Sequence, residues 1–353
     1  MVSADWAVGF GLVRRNLSLR GRCLLCGVFM QFVFLMDPVA TVHPDRDSTF
    51  ALMLEAQRRG HRVLFGEPTD LLVDHNRPKI RLFKASMARR DPPIELSEPS
   101  DVYLDEVDAV FMRKDPPFDM GYVFSTYMLD LLNGRTLVIN DPVGIKKANE
   151  KMYALMFPSL IPETIVTSDV DALKSFMDEM GGEMIVKPWD GNGGRGVLYV
   201  SRGDRNLNSL LELSTGDGTR YVLGQRYVPE VTTGDKRILL VDGVPKGAIL
   251  RVPAKGELRG NIHVGARVVK ASLTERDHEI CRTIGPSLRR DGLLFVGIDV
   301  IGDWLTEINV TSPTGIQELD AFDGICVEGD ILDRVESLVE RGVKRLGSWT
   351  HEE

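Results

Sequence analysis

The chain has 353 residues, 43% of them hydrophobic, which is enough to bury a large core and to form two or three compact units. Lys and Arg total 43 against 51 Asp and Glu, so the formal net charge of -8 gives no general electrostatic reason to bind nucleic acid. Four scattered cysteines argue against a disulfide framework and predict a cytoplasmic, reducing location. No apolar run reaches the length of a membrane span, so no membrane contact is expected.

The first 29 residues form a segment that needs separate treatment. Four arginines precede an apolar stretch from Cys23 to Met36, which resembles a signal peptide, but no cleavage site follows. We predict that Met30 is the natural initiator and that residues 1–29 are a mis-assigned start or a dispensable extension. N-terminal sequencing of the native protein tests this prediction, and an intact segment 1–29 would contradict it.

From Met30 onward, short apolar runs alternate with helical patterns, which is typical of an α/β protein. Ser48 is predicted to cap a helix that stops at Gly60. The first domain is predicted to span residues 30–147. Its predicted strands are Gln31–Met36, Arg62–Phe65, Ala109–Met112 and Leu137–Ile139.

The second domain is predicted to span residues 148–231 and to begin with a helix around Asn149–Phe157. A further helix over Val170–Met180 precedes two short strands, Met184–Lys187 and Val197–Val200, joined by a glycine-rich turn. The strand Tyr221–Val228 leads out of this unit. Its backbone is suited either to read an adenine edge or to serve as an ordinary core strand.

Residues 191–196 read Gly-Asn-Gly-Gly-Arg-Gly and match the dinucleotide fingerprint GxGxxG. That fingerprint needs a helix after the loop, whereas Val197–Val200 has a β pattern, so a hairpin is predicted instead. The glycines allow several N–H groups to face one phosphate, although the same composition suits a flexible turn. Lys187 at the end of its strand favours the phosphate site, and Lys151 can approach it from another side.

The third domain is predicted to span residues 232–346 and contains two strands around the turn Gly302-Asp303-Trp304. A two-residue loop would put Asp299 and Glu307 on opposite faces. A three-residue loop or a bulge sets them directly opposite each other, sets Gly297 opposite Asn309, and keeps one face apolar. Facing carboxylates repel unless a cation or a proton lies between them, and oxygen-only ligands favour Mg²⁺.

Two arginines and a polar stretch complete the predicted site. Arg237 and Arg251 flank a strand pair joined by the Asp242-Gly243 turn, where bidentate contacts to phosphate or carboxylate are the favoured interpretation. The polar stretch from Pro253 to Ala266 contains three glycines and is predicted to be a mobile lid or a plain connection. An amphipathic helix over residues 331–346 is predicted to cover the last sheet.

Together, Lys151, the glycine-rich loop and the carboxylate hairpin resemble an ATP-grasp enzyme. From about Met30 to near residue 345, the chain more narrowly resembles the bacterial type of glutathione synthetase. The resemblance implies an ATP-grasp fold with an N-terminal Rossmann-like domain, a small lid domain and a C-terminal mixed-sheet domain. The stretches that carry it are Met36–Pro38, Asp47–Ala51, Leu54–Gly60, Met112–Asp119, Asn149–Lys151, Gly234–Arg237 and Leu305–Thr314.

The resemblance implies that γ-glutamylcysteine and glycine are condensed through an acyl phosphate, with ATP as co-substrate, two Mg²⁺ ions or Mn²⁺ in their place, and a homotetramer. The alternatives are another carboxylate–amine ligase of this fold, such as a D-alanine ligase or a protein glutamylating enzyme, and a non-catalytic ATP-binding regulatory protein. Implied ATP contacts are Lys151, Lys187, Gly191, Asn192, Gly193, Gly194, Arg195, Gly196, Gln225, Arg226, Tyr227, Val228 and Asp235. Implied catalytic residues are Arg237, Arg251, Arg259, Gly260 and Asn261.

The resemblance also implies the substrate and metal sites. Implied substrate contacts are Asp37, Ser48, Arg113, Ser312, Pro313 and Thr314, and implied metal ligands are Asp299, Glu307 and Asn309. Two positions depart from the family's pattern. Arg195 replaces a smaller residue in the glycine-rich loop, and Ala266 replaces a glycine at the end of the closing loop, which leaves the rate of loop closure open.

Overall fold

The structure is a computed structural model and describes residues 29–254, 260 and 265–347. This part of the chain forms three β-sheets in succession, with eight α-helices packed on and between them. No helix within it is long and apolar enough to cross a membrane. The domain boundaries predicted at residues 147 and 231 stay predictions.

The first sheet has seven strands and a parallel centre. β1 pairs in parallel with both β2 and β6, and β6 pairs in parallel with β7. β3, β4 and β5 extend the sheet with antiparallel pairs, which the sequence analysis missed. The strands are β1 (Gln31–Leu35), β2 (Arg62–Gly66), β3 (Leu71–Asp74), β4 (Arg77–Met87), β5 (Ile94–Tyr103), β6 (Ala109–Met112) and β7 (Leu137–Ile139).

The loops after β1 and β6 lie side by side at the carboxyl ends of neighbouring parallel strands. The chain passes from β1 to β2 on one side, whereas β6 lies on the other, so this edge is a topological switch point. Ligands of open α/β sheets bind at such points. Asp37 follows β1 and Arg113 follows β6, which places both predicted substrate residues there.

Three helices accompany the first sheet, namely α1 (Ser48–Arg58), α2 (Met120–Asp130) and α3 (Pro142–Lys147). The predicted cap of α1 was wrong by one residue. Asp47 is the N-cap, because its carboxylate accepts a hydrogen bond from the Phe50 N–H at 2.8 Å. Ser48 is the first helical residue, and its hydroxyl is free to act elsewhere.

The second sheet is antiparallel, in the order β10-β9-β11-β8, and has its own core around Leu173, Met184 and Leu211. The helix predicted around Asn149–Phe157 was wrong. The Asn149 side chain accepts hydrogen bonds from the N–H groups of Lys151 and Met152, and Pro158 disfavours helix beyond the 3₁₀ turn Tyr153–Met156. The elements are β8 (Thr164–Thr167), α4 (Val170–Glu179), β9 (Glu183–Pro188), β10 (Leu198–Ser201), α5 (Leu207–Thr215) and β11 (Val222–Arg226).

The third sheet is also antiparallel, in the order β14-β13-β12-β15-β16. Its strands are β12 (Asp235–Val241), β13 (Val244–Val252), β14 (Arg267–Ala271), β15 (Phe295–Ile301) and β16 (Trp304–Asn309). Its helices are α6 (Glu275–Arg290), α7 (Ile316–Asp323) and α8 (Val327–Glu340). The predicted bounds of the last helix were wrong, because the Asp320 carboxylate accepts from the Val327 N–H and Gly342, at φ +75°, follows the last turn.

One hydrophobic core joins the first and third sheets. Phe34 and Phe111 of the first sheet belong to the same buried cluster as Leu239 of the third sheet and Ile331 of α8. The first and third sheets therefore form one packed body around α1 and α8. The second sheet has a separate core and faces the third sheet across a cleft.

The Asp320 carboxyl lies on α7 and accepts a hydrogen bond at the start of α8, and its titration predicts a pH-dependent stability. Burial, aided by the neighbouring Glu328 carboxyl, raises the pKa of Asp320 to about 8. Because this exceeds the unfolded value of about 4, the stabilisation is present below about pH 4 and is lost as the pH rises through 8. We expect the Tm of Asp320→Asn relative to that of wild type to be higher at pH 8.5 than at pH 5. Equal gains at both pH values, or a similar trend in the exposed control Glu340→Gln, would contradict this.

Candidate active site

A cleft with an empty volume of about 1140 Å³ opens between the second and third sheets. Both sheets supply predicted ATP-site residues to it, among them Lys187 from β9 and Asp235 from β12. The predicted residues that line it are Lys187, Gly194, Gln225, Arg226, Tyr227, Val228, Asp235, Gly260, Asp299 and Glu307. The structure therefore brings most of the predicted nucleotide site to one place.

The glycine-rich loop joins β9 to β10, so the predicted hairpin is confirmed and no helix follows it. Gly193, Gly194 and Gly196 have φ values of +59°, +76° and +73°, which L side chains rarely adopt. At Gly191 a Cβ atom would lie 2.5 Å from the Cγ atom of Pro188. The loop thus needs glycine for its backbone shape, which suits a cradle of N–H groups for phosphate.

Lys187 lies at the base of this loop and is 9% exposed. Its ammonium donates a hydrogen bond to the Gln225 amide oxygen at 3.0 Å, and among the described residues it has no carboxylate partner within 4.0 Å. Burial lowers the pKa of Lys187. An ammonium held here with only an amide partner is prepared to receive an anion from the cleft.

A hydrogen-bonded chain holds Gln225 in position. Its side-chain NH₂ donates to the Thr164 hydroxyl at 2.9 Å, and that hydroxyl donates to the Pro162 carbonyl at 2.8 Å. Gln225 was predicted to line an adenine pocket. It lines the cleft, and its amide oxygen also accepts the hydrogen bond that holds the Lys187 ammonium in position.

Through these hydrogen bonds Thr164 holds the Gln225 side chain in position, a role that sequence reasoning missed. We expect Thr164→Val to raise the KM for ATP about fivefold to tenfold, corresponding to about 1 kcal/mol for one hydrogen bond, with a smaller effect on kcat. Thr164→Ser keeps the hydroxyl and should behave like wild type. Steady-state kinetics separates the two parameters, and equal behaviour of the Val and Ser variants would show that the hydroxyl has no such role.

Lys151 connects the glycine-rich loop to the third sheet. Its ammonium donates to the Gly191 carbonyl at 2.5 Å, pairs with Glu150, and lies 3.6 Å from a Glu307 carboxylate oxygen. Burial alone would lower the pKa of Lys151, but the charges of Glu307 and Glu150 outweigh burial and raise it. Burial and the charge of Glu307 also raise the pKa of Glu150 to about 7.

The register of the carboxylate hairpin is confirmed. Asp299 on β15 pairs directly with Glu307 on β16, and Gly297 pairs with Asn309. The turn itself is short, with Ile301 opposite Trp304, and a bulge between Asp299 and Val300 restores the register. The three polar side chains predicted as metal ligands therefore lie on one face of the sheet.

Two arginines surround Asp299 on that face. Arg237 contacts both oxygens of the Asp299 carboxylate, at 2.5 and 3.0 Å, and an Arg251 nitrogen lies 3.0 Å from one of them. Burial alone would raise the pKa of Asp299, but both guanidinium charges outweigh it and hold the pKa well below its usual range. Arg251 also binds Asp235 at 2.5 Å, and burial raises the pKa of Asp235 to about 6.

The donor set on this face fits a hard cation. Asp299, Glu307 and Asn309 present two carboxylates and an amide oxygen, and the Oδ1 atom of the neighbouring Asp235 is buried without a hydrogen-bond partner among the described residues. In the described part of the chain, no group of three or more His, Cys, Asp or Glu side chains is arranged as a metal site. Arg237 and Arg251 both contact the Asp299 carboxylate in this structure. A bound cation would therefore have to share that carboxylate with them.

The predicted substrate residues lie where the first sheet meets the loop after β16. Arg113 is buried and donates to the Thr49 hydroxyl at 3.1 Å and to the Pro313 carbonyl at 2.9 Å. Its Nη1 atom has no hydrogen-bond partner in the described part of the chain. The Ser48 hydroxyl accepts hydrogen bonds from the N–H groups of Gly315 and Ile316. Arg237 donates to the Thr314 carbonyl at 3.4 Å. The loop after β16 therefore contacts both Arg113 and the face of the third sheet that carries Arg237 and Asp299.

Some predicted residues lie apart from the main cleft. Asn192 lines a second cleft of about 360 Å³ with Glu150 and Phe118, between the glycine-rich loop and the loop after β6. Asp37 pairs with Lys114 at 2.6 Å. Arg226 lines the main cleft, but its side chain binds Glu163 at 2.5 Å and lies over the Trp304 ring. Arg259 and Asn261 lie outside the described residues.

Sequence reasoning missed other residues of the two clefts. Tyr199 and Thr306 line the main cleft, and Trp189 and Glu150 line the second. Tyr199 packs edge-on against Tyr227, with ring centroids 5.0 Å apart. The aromatic Tyr199 within the short strand after the loop was a usable signal in the sequence. Thr306 interrupts an apolar face and carried no functional signal.

Comparison with solved structures supports the fold. A D-cycloserine synthetase matches with a TM-score of 0.61 at 16% identity, covering 88% of this chain and 99% of that one. A RimK domain ATP-grasp protein from Sphaerobacter thermophilus matches with a TM-score of 0.58 at 16% identity, covering 86% and 98%. The fold and the cleft together define a protein of the ATP-grasp class.

Sequence comparison gives the family. Residues 30–146 match the N-terminal domain of prokaryotic glutathione synthetase, and residues 150–324 match its ATP-grasp domain. The glutathione synthetase of Gloeobacter violaceus is 48% identical over 311 residues, which cover 86% of this chain and 96% of the relative. That of Agrobacterium fabrum is 47% identical over 304 residues, covering 85% and 94%. The chain belongs to the prokaryotic glutathione synthetase family, an ATP-dependent ligase family whose co-substrate is ATP.

Proposed function

We propose that this protein joins γ-glutamylcysteine to glycine, giving glutathione, ADP and phosphate. The observation that carries the proposal is the charged face of the third sheet. There Arg237, Arg251 and Asp299 lie between the cleft suited to ATP and the loop that contacts Arg113. A transferable phosphate and a carboxylate substrate would meet at this face.

ATP would bind with its phosphates under the glycine-rich loop. Lys187 reaches the cleft from the base of the loop, and the Lys151 ammonium lies 3.6 Å from Glu307, which lines the cleft. The adenine would lie along the end of β11, where the backbone from Gln225 to Val228 lines the cleft beside Tyr199. Gly260 lines the same cleft, whereas most of the stretch predicted as a lid, Pro253 to Ala266, lies outside the described residues.

Asp299, Glu307 and Asn309 would hold two magnesium ions, with manganese as a possible substitute. A divalent ion here would neutralise charge on the phosphates as phosphoryl transfer proceeds. The structure supports the donor set through the paired positions of Asp299 and Glu307. Asp235, whose carboxyl already binds Arg251, would supply a further contact to the nucleotide.

The reaction needs positioning and charge stabilisation more than a strong base. An oxygen of the cysteinyl carboxylate would attack the γ-phosphorus, the bond to the ADP oxygen would break, and Arg237 and Arg251 would hold the acyl phosphate. The glycine nitrogen would then attack the acyl carbon, lose a proton, and displace phosphate. Closure of the loop would exclude water, which otherwise hydrolyses an acyl phosphate.

The carboxylate substrate would bind at the switch point of the first sheet. The buried, unpartnered Nη1 atom of Arg113 is suited to a substrate carboxylate. Asp37 lies on the loop after β1, Ser48 begins α1, and the loop Ser312 to Thr314 closes the other side. By family resemblance we also propose that the active form is a homotetramer.

ADP release tests the proposal directly. We expect rapid ADP formation only when ATP, γ-glutamylcysteine and glycine are all present, with glutathione formed in equal amount. D-Alanine in place of both substrates, the test of a related ligase, should give no stimulation. If the complete mixture released ADP no faster than mixtures lacking one substrate, the proposed reaction would be wrong.

A further inference from the structure

Another cavity lies where the first and third sheets meet, and it shares no lining residue with either cleft. It has an empty volume of about 500 Å³ and is lined by α3, the end of α6 and the segment after α8. This volume lies within the range of about 300–1,000 Å³ that is typical of small-molecule sites. We call it the seam cavity, and its charged residues are Asp141, Lys147, Arg290, Asp291 and Arg345.

Closely packed backbone segments frame the seam cavity. A Cβ atom on Gly144 would lie 2.0 Å from the Asp291 carbonyl oxygen, and one on Gly292 would lie 2.6 Å from the Asp141 Cβ atom. The Asp141 N–H also donates to the Gly292 carbonyl at 3.0 Å. Because glycine allows these segments to approach so closely, the walls of the cavity are preformed.

The charged side chains of the seam cavity form two clusters. In one, the Lys147 ammonium lies 2.9 and 2.8 Å from the two Asp291 carboxylate oxygens, and the Arg290 Nε atom lies 3.3 Å from one of them. In the other, the Arg345 Nε atom lies 3.3 Å from the Asp141 Oδ2 atom. The carboxylate side chains are only 8% and 6% exposed, whereas the three cations are partly exposed. The cations therefore reach towards solvent from buried carboxylates.

This arrangement favours a ligand that carries both signs of charge. Three cations and two carboxylates give the seam cavity a net charge of +1. An ammonium has three N–H donors and a guanidinium has five, so Lys147 and Arg290 can bind a ligand carboxylate while they contact Asp291. Burial raises the pKa of Asp141, so its negative charge would be stabilised further by a ligand ammonium. A ligand with one ammonium and two carboxylates complements both clusters and the net charge.

A hydrogen bond links the seam cavity to the turn that carries Lys151. The Tyr153 hydroxyl donates to the Asp291 carboxylate at 2.7 Å, and Tyr153 is 2% exposed. Tyr153 begins its 3₁₀ turn two residues after Lys151, whose N–H donates to the Asn149 side chain. A ligand carboxylate near Asp291 would change the charge balance there, and the change would reach Lys151 through Tyr153.

From these observations we propose that the seam cavity binds an acidic amino acid or a small acidic peptide, and that its occupancy alters ATP affinity through Asp291 and Tyr153. The ligand ammonium would bind Asp141, one carboxylate would bind Lys147 and Arg290, and the other would bind Arg345. The proposal does not depend on which substrates the enzyme joins. Its tests are binding measurements without turnover, so they remain decisive even if the proposed ligase reaction is wrong.

Isothermal titration calorimetry of the full chain tests the site. At least one of L-glutamate and L-alanyl-L-glutamate should bind, and the comparison distinguishes an amino acid from a peptide ligand. Arg290→Gln should weaken binding about 10- to 150-fold, the usual loss for a hydrogen bond to a charged group. Arg282→Gln is the matched control, because Arg282 lies on the same helix and pairs with the exposed Glu275. Arg113→Met should keep the binding, because it alters only the proposed substrate site.

The chemistry of the ligand has its own controls. L-Glutamine lacks the second carboxylate and glutarate lacks the ammonium, so each should bind at least tenfold more weakly than L-glutamate if L-glutamate is the ligand. For a peptide ligand, L-alanyl-L-glutamine is the corresponding control. Circular dichroism establishes that each variant is folded, and Lys147→Gln replaces Arg290→Gln should that variant misfold.

Reciprocal binding tests the link to the ATP site. A saturating amount of the bound ligand should change the Kd of a non-hydrolysable ATP analogue with Mg²⁺ by about fivefold or more, and the analogue should change the ligand's Kd by the same factor. Tyr153→Phe removes only the hydroxyl, so it should keep ligand binding and abolish this change. The proposal would be overturned if neither ligand bound, if folded Arg290→Gln bound like wild type, if Arg113→Met abolished binding, or if Tyr153→Phe left the coupling intact. An ATP-analogue Kd that is the same with and without the ligand would also overturn it.

Discussion

Glu307→Gln is expected to lower kcat by about 10²- to 10³-fold while leaving the protein folded. The carboxylate lies directly opposite Asp299 and 3.6 Å from the Lys151 ammonium, so it serves both the proposed metal site and the lysine. Glutamine has the same size and retains an oxygen, but it carries no charge to attract a divalent cation. The measurement is kcat at saturating ATP over a range of Mg²⁺ concentrations.

A shifted metal dependence distinguishes this role from a general loss of structure. The variant should require more Mg²⁺ for half-maximal rate, and its thermal unfolding should resemble that of wild type. Asp303→Asn is the matched control, because Asp303 lies in the turn of the same hairpin and is exposed. A Glu307→Gln variant with near wild-type kcat and metal dependence would remove Glu307 from the site.

Lys187→Met is expected to raise the KM for ATP by about 30- to 5000-fold, as loss of a buried charged contact costs about 2–5 kcal/mol. The same substitution should leave the nucleotide-free protein equally stable or more stable. The reason is that Lys187 is buried and, among the residues that the structure describes, has only the Gln225 amide as a direct partner. Few binding-site substitutions separate affinity from stability in this direction.

Thermal unfolding with and without ATP measures both effects. Wild type should show a large rise in Tm with ATP and Mg²⁺, whereas Lys187→Met should show a small one. Lys174→Met, on helix α4 of the same unit, is the control, because its ammonium is partly exposed and pairs with Asp171 at the surface. An undiminished ATP-induced rise in Lys187→Met would contradict the assignment.

Local patterns predicted the chemistry-bearing parts of this fold well. The hairpin register followed from alternation, because only one register keeps Val296, Ile298 and Ile308 on a common buried face. The glycine-rich hairpin followed from the β pattern after Gly196. Both features depend on residues within about ten positions of each other, where periodicity and turn chemistry act directly.

Features that depend on distant residues could not be predicted in this way. The long antiparallel pair β4–β5 has mostly polar residues on its outer strand, so β5 gave no apolar signal. Likewise, Thr164 gains its role through Gln225, which lies 61 residues away. Arg237 and Arg251 were predicted to contact phosphate or carboxylate, but the identity of Asp299 as their carboxylate partner depends on strand order in the third sheet.

Isotope transfer tests the central claim, that ATP activates a carboxylate at this site for attack by an amine. γ-Glutamylcysteine labelled with oxygen-18 in its cysteinyl carboxylate is supplied with ATP and glycine, and the released phosphate is examined by mass spectrometry. Formation and breakdown of an acyl phosphate predicts one labelled oxygen in each phosphate. Turnover that gives glutathione with unlabelled phosphate would contradict the account.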